Sequence, residues 1–106
     1  ILEPQAYGQV DTYEAGMLCA KTEGIIAAPE TNHALAAVVA EAKKAKEEGK
    51  EKVILFNWSG HGLIDLGAYE TYLSGSLTNY EFPAEDIAEA EKVLEQYPKP
   101  EIIKNV

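Results

Sequence analysis

The sequence predicts an α/β fold: a partial three-layer αβα segment with one clear buried strand. Three observations carry this. Val53, Ile54, Leu55, Phe56 and Trp58, broken only by Asn57, have the composition of a strand covered on both faces. Stretches of helical periodicity flank it. A short glycine-bracketed loop, Ser59-Gly60-His61-Gly62, follows at its carboxyl end, the edge where open α/β sheets bind ligands. One strand is not a sheet, so its neighbours are expected from chain outside this sequence or from another molecule.

The elements follow in order. Ile1 to Val10, with Pro4 and Gly8, reads as an extended entry with a short strand around Gln5 to Gln9. Asp11 reads as an N-cap, with Glu14 three residues on as the other half of a capping box. The helix from Thr12 to about Thr22 is expected to bury Ala15, Leu18 and Cys19 or Thr22, and Gly24 to close it. The connector Glu23 to Glu30 is too apolar for an exposed loop, which sends Ile25 and Ile26 through the interior. Pro29 suits the first turn of a second helix. Its expected buried face is His33, Ala34, Ala37, Val38, Glu41, Ala42 and Ala45, widened by Leu35 and Val39, with Gly49 as its stop. After the Val53–Asn57 strand and its loop, Asp65 is positioned to cap a short helix toward Tyr72. Ser74-Gly75-Ser76 breaks the chain. A last helix, Pro83 to about Gln96, carries the stripe Ile87, Ala90, Val93 and Leu94, and Pro98 and Pro100 stop it. The tail from Glu101 is expected to be extended or frayed.

The bulk properties bound the function. A chain of 106 residues with 46% apolar content is one globular domain or part of one. It contains no apolar run of transmembrane length and no signal-peptide pattern. It starts at Ile1 rather than Met, which suggests that an N-terminal portion has been removed. The net charge is −9 and arginine is absent, so no nucleic-acid surface is expected. Nor is there a guanidinium to clamp a phosphate or carboxylate. The single Cys19 excludes an internal disulfide and a multi-thiolate metal site, and it fits a reducing cytoplasm.

The candidate chemistry sits in a few residues. Ser59 to Gly62 reads as a ligand loop with a hydroxyl and backbone N–H groups facing a polar atom, or as a plain turn after a strand. It lacks the strand-to-helix elbow of a serine hydrolase and the length and lysine of a phosphate-binding P-loop. His33 and His61, the only histidines, lack a third ligand for zinc, and no metal is expected; His33 shares a helix face with Glu30 and is expected to bond it. Glu23 is either a solvated helix end or a carboxylate placed beside a buried turn.

Taken together, Glu23-Gly24-Ile25-Ile26, Ala28-Pro29-Glu30-Thr31-Asn32-His33-Ala34, and Ser59-Gly60-His61-Gly62 with Leu63-Ile64-Asp65-Leu66 form an ordered, correctly spaced set. This set resembles the C-terminal part of the tryptophan synthase β chain, second class, over roughly Gln9 to Gly75. The resemblance implies a piece of a larger fold-type II pyridoxal-phosphate enzyme sheet, with residues 1–80 as family-like core and 81–106 as a C-terminal helix and tail. It implies a cytoplasmic lyase of tryptophan biosynthesis that condenses L-serine, or a phosphorylated serine, with indole. In that family the serine of the Ser-Gly motif meets the pyridine nitrogen of the cofactor, here Ser59. The family's Glu-Gly-Ile glutamate lies beside the cofactor ring, here Glu23, and Gly60 and His61 follow as lining residues. The resemblance further implies the remainder of the β chain as partner, a homodimeric parent, and neither nucleic acid nor membrane.

Two departures matter. Ala27 stands where the family usually has Pro. The lysine that carries the cofactor, the phosphate loop and the general-base glutamate lie upstream in the family, so no catalytic residue is expected in this chain and the fragment alone is expected to be inactive. The competing reading is a stand-alone, non-catalytic α/β binding or interaction module.

Overall fold

The computed structural model describes residues 2–98. Four α-helices follow one another: α1 (Gln9–Glu23), α2 (Pro29–Glu47), α3 (Leu66–Leu73) and α4 (Ala84–Glu91), the last continued by a 3-10 turn, Lys92–Gln96. Among the described residues there is no strand and no sheet, only an isolated antiparallel bridge between Ala27 and His61. The expected αβα layering is therefore corrected to a helical body.

The physical reason lies in the Val53–Asn57 segment. Its burial alternates: Val53 and Leu55 are 99% and 95% exposed, whereas Ile54 and Phe56 are half-buried. That period of two is the mark of a strand with one covered face. A ladder also needs a second row of N–H and C=O groups beside it, and no described segment supplies one here. The extended stretch near Gln5–Gln9 is not a strand either, because α1 already starts at Gln9.

The ends of α1 show local and distant control side by side. Gly24, at φ 72°, closes the helix and donates its N–H to Ala20 O, as its place after Glu23 predicts. At the other end the capping group is not Asp11. Asn79 Oδ1 accepts the Val10 N–H at 2.9 Å, and Gln9 Nε2 donates to Thr78 O. The helix therefore begins earlier than its local signals indicate, and Asp11 sits in the first turn, where a negative charge favours the helix dipole.

α1 packs along α2. The core is small: Ala15, Cys19, Ala27, Leu35 and Ala36, with Tyr7, Val39 and Phe56 against it. From α1, Thr12, Tyr13 and Gly16 are also buried, while Leu18 and Thr22 face outward. From α2 the buried residues are Thr31, Asn32, Leu35, Ala36 and Ala45. This corrects the expected face: His33 and Ala42 are exposed, and Ala34, Ala37, Val38 and Glu41 are only partly covered. The helix is turned by roughly one residue, about 100°. The cause is a close approach. A Cβ built on Gly16 would lie 2.6 Å from Asn32 Cγ, so the missing side chain of α1 makes the room that Asn32 fills. Glu41 and Lys52 pair at 3.4 Å.

α3 closes on α1 through aromatic rings: Tyr13 meets Tyr69 edge-on at 5.0 Å and stacks with Tyr72 at 5.8 Å. Gly75, at φ 73°, ends this part of the chain where the Ser-Gly-Ser breaker predicts. α4 forms within the expected Pro83–Gln96 region but buries nothing; of the expected stripe, Ile87 on α4 and Val93 and Leu94 on the 3-10 turn are exposed. Pro100 and the tail from Glu101 lie outside the described residues.

Two glycines test this packing. Gly16→Ala is expected to cost about 1–3 kcal/mol by overpacking against Asn32. Gly67→Ala, inside α3 with nothing near its missing Cβ, is expected to be neutral or to stabilise by about 0.4–1 kcal/mol. Denaturant titration of the two variants beside the wild type checks the pair; equal midpoints for both would contradict the close approach.

Candidate ligand loop at the start of the second helix

The site is built on a backbone crossing. The connector Ile26–Ala28 and the loop Gly60–Gly62 run antiparallel, joined by Ala28 N–H to Gly60 O and Gly62 N–H to Ile26 O, both 2.9 Å. Glycine is required at 62, because a Cβ there would overlap the Ala27 carbonyl, its carbon only 3.0 Å away. Ala27 is fully buried by this crossing, and Ala28 nearly so. The apolar connector thus does enter the interior, but through its alanines. Ile25 is 51% exposed and Ile26 only half-buried, contrary to expectation.

Pro29 starts α2 directly after the crossing, so the first turn of the helix lies against the loop. Thr31, 1% exposed, sits there with its hydroxyl among three neighbours. Gly60 N–H donates to Thr31 Oγ1 at 3.2 Å, Ser59 Oγ lies 2.8 Å away, and Gly60 O lies at 3.3 Å. One residue on, Asn32 is fully buried and its amide donates to Tyr69 Oη at 3.0 Å. Tyr69 Oη donates in turn to Ala27 O at 2.6 Å. α3, α2 and the connector are thereby tied to one phenol. Burial pushes the Tyr69 phenol above its ordinary value, opposed by the hydrogen bond from Asn32. Tyr13 is raised by burial and then by Tyr69 and the acids nearby. Burial, then the charge of Glu23, pushes the Cys19 thiol up as well.

The four sequence-predicted residues divide. Ser59, Gly60 and His61 are together on the loop, with Ser59 and His61 exposed and Gly60 half-buried. His61 folds back to accept the Leu63 N–H at Nδ1, 3.3 Å. Glu23 is the exposed last residue of α1, at the far end of the connector, and no hydrogen bond joins it to the loop among the described residues. His33 is exposed and makes no hydrogen bond to Glu30. No group of three potential metal ligands converges among the described residues. Thr31, Asn32 and Tyr69 were not singled out from the sequence. Their one local signal is that a hydroxyl and an amide stand in the first turn after Pro29, where such side chains bond backbone or neighbours rather than water.

The geometry describes a loop and helix start that hold a hydroxyl outward, on a body too small to cover its own apolar side chains. Val53, Leu55, Leu63 and Ile64 are all exposed. Exposed apolar side chains in such number mark a surface that another segment or molecule covers.

No family model matches the chain. Curated relatives do. The chain is 59% identical over 87 residues to the tryptophan synthase beta chain of Thermococcus gammatolerans, covering 79% of this chain and 20% of that one. It is 57% identical over 81 residues to tryptophan synthase beta chain 2 of Pyrococcus furiosus, covering 76% and 18%. To tryptophan synthase beta chain 2 of Thermotoga maritima it is 61% identical over 69 residues, covering 65% and 16%. The chain belongs to the tryptophan synthase β-chain family, and it spans about one fifth of the length of the relatives it matches. This partial coverage agrees with the assignment to a C-terminal fragment.

Removing the phenol oxygen tests the frame of the site. Tyr69→Phe leaves Asn32 and Ala27 O short of a partner and is expected to cost about 1–3 kcal/mol. The raised phenol adds a pH signature. The folded state keeps the Tyr69 proton after the unfolded chain has lost it, so this stability is whole below pH about 10 and is lost as pH rises through the folded value. Thermal melts from neutral to alkaline pH should show a shallower alkaline loss in Tyr69→Phe than in the wild type.

Proposed function

We propose that this chain, as the C-terminal part of a tryptophan synthase β chain, forms the side of a pyridoxal-phosphate pocket that receives the pyridine nitrogen. The single observation that supports this is the Ser59 hydroxyl, exposed at the loop and held at 2.8 Å by buried Thr31. The loop residues fit the group. Ser59 is neutral and hydrogen-bonded to no charged side chain. Ser59 meets the ring nitrogen, Gly60 and His61 line the ring, and Glu23 approaches from the end of α1. When bound, the cofactor supplies the electron sink for elimination and replacement at the β-carbon of an amino acid. A neutral hydroxyl at the nitrogen stabilises a ring cation weakly, which moderates that sink. Ser59 also fixes the ring's orientation, and the Gly60–Ala28 and Gly62–Ile26 hydrogen bonds keep the loop from drifting under it.

The parent enzyme in this reading is a cytoplasmic lyase that joins L-serine, or a phosphorylated serine, to indole, and it works as a homodimer. The remainder of the β chain supplies the lysine that carries the cofactor. It also covers the exposed side chains of Val53 and Leu55. The isolated fragment is inactive. A free-standing binding module would have little reason to leave so much apolar surface bare.

Complementation tests the assignment. Mixed with pyridoxal phosphate alone, the chain is expected to give no bound-cofactor absorbance, and to give it once the complementary N-terminal part is added. Ligand binding by the chain alone, with no complementation, would sink the proposal. In the full-length enzyme, Ser59→Ala is expected to weaken cofactor affinity about ten-fold, the loss of one hydrogen bond worth about 1.4 kcal/mol, while the protein still melts as a folded one. Equilibrium titration with the cofactor and a thermal melt measure the two.

A further inference from the structure

We infer that Thr31 is the positioning residue of the loop and that its hydroxyl decides what Ser59 offers to a ligand. This rests on the reading of Ser59 as the partner of a ring nitrogen. Thr31 is almost wholly buried, so it touches no ligand itself. Its oxygen already accepts the Gly60 N–H at 3.2 Å, which leaves one proton and one lone pair for two neighbours, Ser59 Oγ at 2.8 Å and Gly60 O at 3.3 Å. Gly60 O already accepts the Ala28 N–H at 2.9 Å, and its contact with Thr31 Oγ1 is the longer of the two. The Thr31 proton therefore goes to the shorter contact, Ser59 Oγ. Ser59 then accepts from inside the protein, and its own proton points out. A hydroxyl arranged this way is a donor, and its partner is an unprotonated aromatic nitrogen.

The reverse order is also built in. If Ser59 donates inward, Thr31 passes its proton to Gly60 O, and Ser59 offers only lone pairs. That order suits a protonated ring nitrogen. Thr31 thus links the orientation of the Ser59 proton to the protonation of the ring: the chain Gly60 N–H, Thr31, Ser59 favours the neutral ring while leaving a weaker path for the charged one. Removing the Thr31 hydroxyl frees Ser59 to rotate, and the preference is lost.

The test is a mutant cycle in the full-length enzyme, using Ser59→Ala, Thr31→Val, the double variant and the conservative Thr31→Ser. Three quantities are read: cofactor affinity by equilibrium titration, the absorbance maximum of the bound cofactor, and the pH dependence of that absorbance. Thr31→Val is expected to weaken affinity several-fold and to move the pH profile. Thr31→Ser is expected to restore both, and the double variant to be no worse than Ser59→Ala alone. If Ser59→Ala changes none of the three, the ring-nitrogen reading fails and the inference with it. If Ser59→Ala does change them but Thr31→Val leaves the pH profile at wild type, or the two effects simply add, only the role of Thr31 is overturned. Should Thr31→Val not fold, Thr31→Cys keeps the volume with a weak donor, and a wild-type pH profile in that variant overturns the inference equally.

Discussion

The structure hangs on the crossing of Ile26–Ala28 with Gly60–Gly62. Two backbone hydrogen bonds of 2.9 Å hold it, and Gly62 must be glycine for the strands of backbone to meet. Once the crossing is made, Pro29 launches α2 from its edge, and the first turn of that helix delivers Thr31 to the loop and Asn32 to the interior. The Ala27 carbonyl at its centre takes the Tyr69 hydroxyl, which anchors α3. The connector between α1 and α2 thereby fixes α2, α3 and the Ser59–Gly62 loop relative to each other.

The interior this creates is polar. The largest fully buried side chains are Asn32, Thr12 and Thr31 rather than leucines or phenylalanines. Buried polar groups are tolerated when they are bonded, and no buried side-chain polar atom lacks a partner among the described residues. Such an interior contributes more to geometry than to stability, since a network of this kind fixes angles and net hydrogen-bond energies are small. The large apolar side chains face outward instead, on the Val53–Leu55 edge and at Leu63–Ile64. That distribution is what a segment cut from a larger hydrophobic core would present, and it agrees with the one-fifth coverage of the tryptophan synthase β-chain relatives.

Much of the chain's punctuation was legible in the sequence. Asp65 precedes α3 but makes no side-chain capping bond, whereas Gly24 closes α1, Pro29 opens α2, Gly49 follows the end of α2 and Gly75 the end of α3. These are signals of backbone dihedral and missing donors, which act within a few residues and need no partner. The Ser59–Gly62 loop was legible for the same reason. The buried face of α2 was not, because the small residues along that helix give several equally plausible stripes, and only the notch at Gly16 selects the one through Asn32. The N-terminus of α1 was missed because its cap, Asn79, comes from the other side of the molecule.

The amino-acid sequence by itself determined where α1 ends, where α2 begins, and which family the chain belongs to. Tertiary structure alone decided that Thr31 stands behind Ser59 and that Val53–Asn57 forms no strand. The physical reason is common to both. Dihedral preferences and residue order are properties of the chain, whereas a hydroxyl pair 28 residues apart and a sheet ladder exist only when a second segment is placed alongside.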